Sequence, residues 1–182
     1  REVFRRARES ALPDFPITVY YAFKQSDTTE SGQASTGWET LLEGMIRSDW
    51  AVTATWPLRS ELSNRMLSQR TNALASSIVL ALRPRAEDAS ATDRRQFVET
   101  LKAELPSALR DLQHGAIAPV DLPQAAIGPG MAVFSRYAKV VEADGSSMSV
   151  SDALAIINDV LGEVIDGEEA ERWNSRGHFF AA

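Results

Sequence analysis

The chain has 182 residues, of which 44% are hydrophobic, 8% aromatic and 24% charged, with no cysteine, which excludes disordered, collagen-like and disulfide-stapled classes. No apolar run approaches the roughly 20 residues of a membrane-spanning helix, and the basic stretch Arg1 to Arg8 lacks the apolar segment of a signal peptide; a cytoplasmic protein without a membrane partner is expected. The net charge of −6 is unevenly divided: residues 1–85 carry eleven Lys and Arg against nine Asp and Glu, and residues 86–182 carry eight against sixteen, so a basic face able to neutralise phosphates is expected only in the first half.

Residues 1–12 space Val3, Phe4, Ala7 and Ala11 at helical intervals among arginines, and Pro13 and Pro16 end that pattern. The chain opens on Arg1 already inside this helical pattern, which reads as an excised piece of a longer polypeptide. Ile17 to Phe23 is nearly continuous in β-branched and aromatic residues, the composition of a central strand covered on both faces. Residues 25–35 are polar and rich in Ser and Gly, hence a loop. Thr36-x-x-Glu39 has capping-box spacing before the apolar positions of a helix over 37–48. Trp50–Trp56 and Ala75–Leu82 predict two further strands, with Pro57 ending the first and a long polar loop between them. Periodicity sends Trp38, Trp50 and Trp56 inward, so all three are read as core.

Residues 86–91 form a polar linker and the predicted boundary between an α/β half, 1–85, and a mainly helical half, 86–182. Ser90-x-x-Asp93 predicts the cap of a helix reaching about Gly115 with a kink or break at Pro106. A short helix begins near Asp121, Gly128-Pro129-Gly130 interrupts it, and Met131 to Tyr137 continues it. A small hairpin is expected over 139–149 about Asp144-Gly145. Ser149-x-x-Asp152 caps a helix over Val150–Ile165, followed by an acidic tail.

No P-loop, H-E-x-x-H or G-x-S-x-G is present, and Gly128-Pro129-Gly130 lacks the third glycine and preceding strand of a dinucleotide fingerprint. With no cysteine and only His114 and His178, neither a thiol nucleophile nor a metal site is expected.

Five segments, in order, carry more information than any of these motifs. They are Thr36-Gly-Trp-Glu-Thr-Leu-Leu-Glu-Gly-Met-Ile-Arg47, Val52-Thr-Ala-Thr-Trp-Pro-Leu-Arg-Ser-Glu61, Asn72-Ala-Leu-Ala-Ser-Ser-Ile-Val-Leu80, Ala116-Ile-Ala-Pro-Val-Asp-Leu122 and Ala126-Ile-Gly-Pro-Gly-Met-Ala-Val-Phe-Ser-Arg-Tyr137. Together they resemble the C-terminal part of a bacterial family of large adenine-specific DNA methyltransferases that carry an N-terminal domain of unknown function and a zinc-ribbon insertion. The resemblance spans roughly residues 1–165.

It implies transfer of a methyl group from S-adenosylmethionine to the exocyclic nitrogen of adenine, on a Rossmann-like sheet of which this chain holds the distal half, its last three strands with the final pair antiparallel, plus a helical extension. The family's catalytic Asp-Pro-Pro-Tyr, which holds a flipped adenine, is absent, since no proline here is followed by another. The resemblance therefore places the catalytic residues, most of the S-adenosylmethionine site and the zinc-ribbon cysteines upstream, and this chain alone is expected to be inactive. Its partners would be DNA and the N-terminal part of the enzyme or an equivalent subunit.

The resemblance sets the loop 57–74 near the target base. There Arg59, Arg65 and Arg70 are candidates for phosphate contact or stacking, and Asn64 and Asn72 for amide contacts to base edges. Surface pairing of Glu61 with Arg59 or Arg65 is the plain alternative for the same loop. Lys24 and Ser26 follow the first strand at a sheet edge where α/β proteins bind ligands. The other function class open to the chain is a non-catalytic interaction module whose acidic helices dock on a partner.

Overall fold

The computed structural model describes residues 2–22, 36–58, 77–114 and 122–177. Helix α1 (Glu2–Glu9) is followed by β1 (Ile17–Ala22), α2 (Thr36–Ile46), β2 (Trp50–Leu58) and β3 (Ser77–Pro84). After them come β4 (Ala91–Asp93), α3 (Arg94–His114), α4 (Leu122–Ser135), β5 (Lys139–Val141) and α5 (Val150–Gly177). The fold is mixed α/β with a small sheet. The expected antiparallel pairing of the second and third strands is present: Trp50 lies opposite Pro84 and Leu58 opposite Ser77.

The first strand corrects an expectation. Among the described residues the sheet order is β1-β3-β2, so β1 lies at one edge and β3, the last of the three in sequence, at the centre. Both flanking strands are antiparallel to β3, which makes β1 and β2 parallel across it. Burial alternates along β1, with Ile17, Val19 and Tyr21 half-buried and Thr18, Tyr20 and Ala22 exposed. The unbroken apolar run misled because its outward members, Thr, Tyr and Ala, tolerate water while retaining strand propensity.

One face of this sheet meets helices. Leu80, Leu82, Ile78, Val52 and Trp50 join Trp38, Leu42 and Met45 of α2 in a buried cluster. The ring of Tyr21 lies 5.2 Å from that of Trp38. The same cluster takes in Phe97, Leu101, Leu105 and Leu109 of α3, Met131 and Phe134 of α4, and Leu154 and Ile157 of α5. Hydrophobic burial is thus continuous across the sequence boundary placed at 86–91.

Among the described residues the opposite face is exposed in part: Ala81 is buried on it and Arg83 donates to the carbonyls of Pro13 and Asp14, but one row stands open. Register places Tyr20 beside Val79 and Val79 beside Trp56 in one cross-strand row. Tyr20 is 67% exposed and Trp56 51%, so Trp56 is not a core residue. A β-bulge between Val52 and Ala54 explains the error: one extra residue reverses the inward and outward alternation, and Trp56 emerges on the face opposite Trp50.

Other boundaries shift for local reasons. The cap of α3 is Asp93, whose carboxylate accepts the Gln96 N–H at 2.8 Å, while the Ser90 carbonyl is taken by the Ala138 N–H at 2.9 Å. Strand β4 begins at Ala91, the last residue of the predicted linker, and runs parallel to β5. Helix α3 continues through Pro106. The Asp144-Gly145 turn forms as expected, with Gly145 at φ +85° and Val141 bridged to Ser147, closing the small hairpin. Ser149 caps α5 through its hydroxyl, which accepts the Asp152 N–H at 3.0 Å. That helix runs on to Gly177, beyond the Ile165 predicted. Among the described residues no helix is long and apolar enough to cross a membrane.

Candidate functional site

The site begins with the motif that sequence reading left without chemistry. Gly128-Pro129-Gly130 lies inside α4, which is one uninterrupted helix rather than two. A Cβ at position 128 would stand 1.6 Å from the Thr55 hydroxyl oxygen, and one at 130 would stand 2.5 Å from a methyl of Ile157. The two glycines therefore let α4 approach β2 on one side and α5 on the other at distances no side chain permits.

Pro129 supplies the third element of this contact. Having no N–H, it leaves the carbonyl four residues earlier, that of Ala125, without its helical donor. The Thr55 hydroxyl donates to that carbonyl at 3.2 Å. At the other end of α4 the buried Ser135 hydroxyl accepts the Val52 N–H at 2.8 Å, next to the bulge. Helix α4 is thus fastened to β2 at both ends of its contact.

With α4 so placed, α3 stands off from β2 and a cleft of about 500 Å³ opens between them. Thr53 to Trp56 form one wall, residues of α3 from Glu104 to Leu112 form the other, and Pro129, Ala132 and Arg136 line the floor. The Arg136 guanidinium donates to both carboxylate oxygens of Glu104, at 2.8 and 2.6 Å. That pair raises the Arg136 pKa above its ordinary value, although, half-exposed as it is, it adds no more than about 1 kcal/mol. Among the described residues no His, Cys or Lys lines the cleft. Its hydroxyls donate to backbone carbonyls, Ser107 to that of Glu104 at 2.9 Å and Thr53 to that of Ala81 at 3.2 Å. The described lining thus offers an aromatic ring, alanine, leucine and proline side chains, the Glu104–Arg136 pair and the Asp111 carboxylate.

A second polar centre is structural. The Arg85 guanidinium is buried and donates to the carbonyls of Ile46 at 2.6 Å and Ala138 at 3.2 Å, with the Asp49 carboxylate at 3.9 Å. It ties the end of α2 to the α4–β5 connection. Burial pulls its pKa below the ordinary arginine value, partly offset by Asp49.

The predicted DNA contacts Arg59, Asn64, Arg65, Arg70 and Asn72 lie outside the described residues, as do Lys24, Ser26 and His178. His114 is exposed at the end of α3. Among the described residues no group of His, Cys, Asp or Glu could hold a metal ion. Sequence reading missed the cleft. Trp56 was assigned to the core, and Asp111 and Glu104 lie on the polar side of an amphipathic helix, where nothing distinguishes a cleft wall from a solvated face. The chain matches no family model, and neither a curated protein nor a solved structure matches it.

Proposed function

We propose that this chain is the C-terminal segment of an S-adenosylmethionine-dependent, adenine-specific DNA methyltransferase and serves as its non-catalytic, docking part. The observation that carries the reading is the strand order of the small sheet. Its last strand lies antiparallel between two strands that are parallel to each other, as the distal strands of a Rossmann-like sheet with an antiparallel final pair would lie. In such a sheet helices cover both faces, whereas among the described residues no helix covers the row of Tyr20, Val79 and Trp56 and no strand flanks β1. The upstream part, bearing the Asp-Pro-Pro-Tyr motif and the cofactor pocket, would cover that row and pair along that edge. The same surface serves whether the catalytic part is joined in one polypeptide or supplied as a separate subunit.

DNA contact in this reading falls to Arg59, Arg65 and Arg70, with Asn64 and Asn72 reaching base edges. Calorimetry tests the division of labour. The chain alone is expected to give no heat with S-adenosylmethionine, and micromolar binding would overturn the placement of the cofactor site in the upstream part.

A further inference from the structure

The cleft between β2 and α3 presents one uncompensated charge beside one open aromatic face. Glu104 and Arg136 neutralise each other in a two-point pair, and the hydroxyls of Thr53, Thr55 and Ser107 are committed to backbone carbonyls. Among the described residues that leaves the Asp111 carboxylate and the Trp56 ring without a partner, in a lining otherwise made of alanine, leucine and proline. Two carboxylates against one guanidinium repel phosphates and other anions. An occupant that uses every feature of the cleft carries an apolar stem and a cationic head. A guanidinium fits best, because it is planar enough to stack on an indole and its fork of N–H groups matches a carboxylate.

We propose that this cleft receives an arginine side chain from a polypeptide lying along the exposed Tyr20–Trp56 row, its guanidinium stacked on Trp56 and donating to Asp111. The polypeptide source follows from continuity. Trp56 belongs both to the cleft wall and to the exposed row with Val79 and Tyr20, so a chain crossing that face passes the mouth of the cleft. The proposal holds for any polypeptide partner and does not rest on the methyltransferase reading.

The test is a titration of the isotopically labelled chain, followed by nuclear magnetic resonance, with N-acetylarginine methylamide, its neutral citrulline counterpart and spermidine. The arginine amide is expected to shift the Trp56 indole N–H and the Ala108 and Asp111 amides saturably, and the citrulline amide to leave them in place. Asp111→Asn, on the exposed side of α3, is expected to weaken binding about tenfold, and Trp56→Leu to weaken it as well. Asp159→Asn, on α5 outside the cleft, should leave it unchanged. Absence of saturation, equal shifts with citrulline, or an Asp111→Asn variant that binds as well as the parent would each overturn the site. Tighter binding of spermidine than of the arginine amide would overturn the polypeptide source.

Discussion

A methyl group at position 128 has nowhere to go, because the Thr55 side chain already occupies its place. Gly128→Ala is accordingly expected to destabilise the protein by about 1–3 kcal/mol or more through overpacking. Gly162, in α5 with nothing within 4 Å of an added Cβ, provides the opposite case. There alanine removes only the helix penalty of glycine, so Gly162→Ala should stabilise by about 0.5–1 kcal/mol. Urea denaturation of the two variants against the parent checks both signs. Asp144 offers a test by pH. The Ser146 hydroxyl donates to its carboxylate at 2.6 Å and the Ser146 N–H at 2.9 Å, and these bonds hold its pKa below the ordinary aspartate value. A lowered carboxyl pKa means that the turn is favoured above the ordinary aspartate range and loses that support as pH falls through the lowered value. Ser146→Ala is expected to move the Asp144 titration midpoint upward, as followed by carbon-detected magnetic resonance of its carboxyl.

At the scale of elements, what the sequence made legible depended on how local the cause was. Helix α5 announced its start because Ser149 and Asp152 are neighbours that cap it directly. The α3 cap was misplaced by three residues, since Ser90 and Asp93 both satisfy the spacing and only a tertiary partner, Ala138, removes Ser90 from the competition. The β2 bulge has no sequence mark, yet it turns Trp56 from core to surface, and with it went the cleft. Pro129 looked like a helix breaker because its compensating donor, Thr55, is 74 positions away. The candidate DNA loop lies outside the described residues and so was neither gained nor lost. Arg85 is another long-range cause invisible in sequence. Its buried guanidinium satisfies carbonyls at the end of α2 and in the α4–β5 connection, and Arg85→Met should strand both, costing about 3 kcal/mol. Thermal unfolding of the Arg85→Met variant measures that loss. A variant as stable as the parent would show that the clamp is dispensable.

For the whole molecule, the relevant asymmetry lies between the two faces of the sheet. One face is sealed by α2 and the helical half, and the other presents Tyr20 at 67% and Trp56 at 51% exposure in one row. Under the proposed reading this exposed row and the β1 edge, which no strand among the described residues flanks, are where a partner would pack and pair. Under the same reading, this face is where the catalytic part docks. The direct measurement is methyl transfer from tritiated S-adenosylmethionine to adenine-bearing duplex DNA by the native protein or complex that carries these residues. It is compared with a Thr18→Glu, Tyr20→Glu variant, which charges the exposed side of β1 while leaving the cleft untouched. The account predicts N6-methyladenine from the parent and a loss of at least about tenfold in the variant, with this chain still folded. Absence of methyl transfer by the native protein, or full activity in the variant, would contradict it.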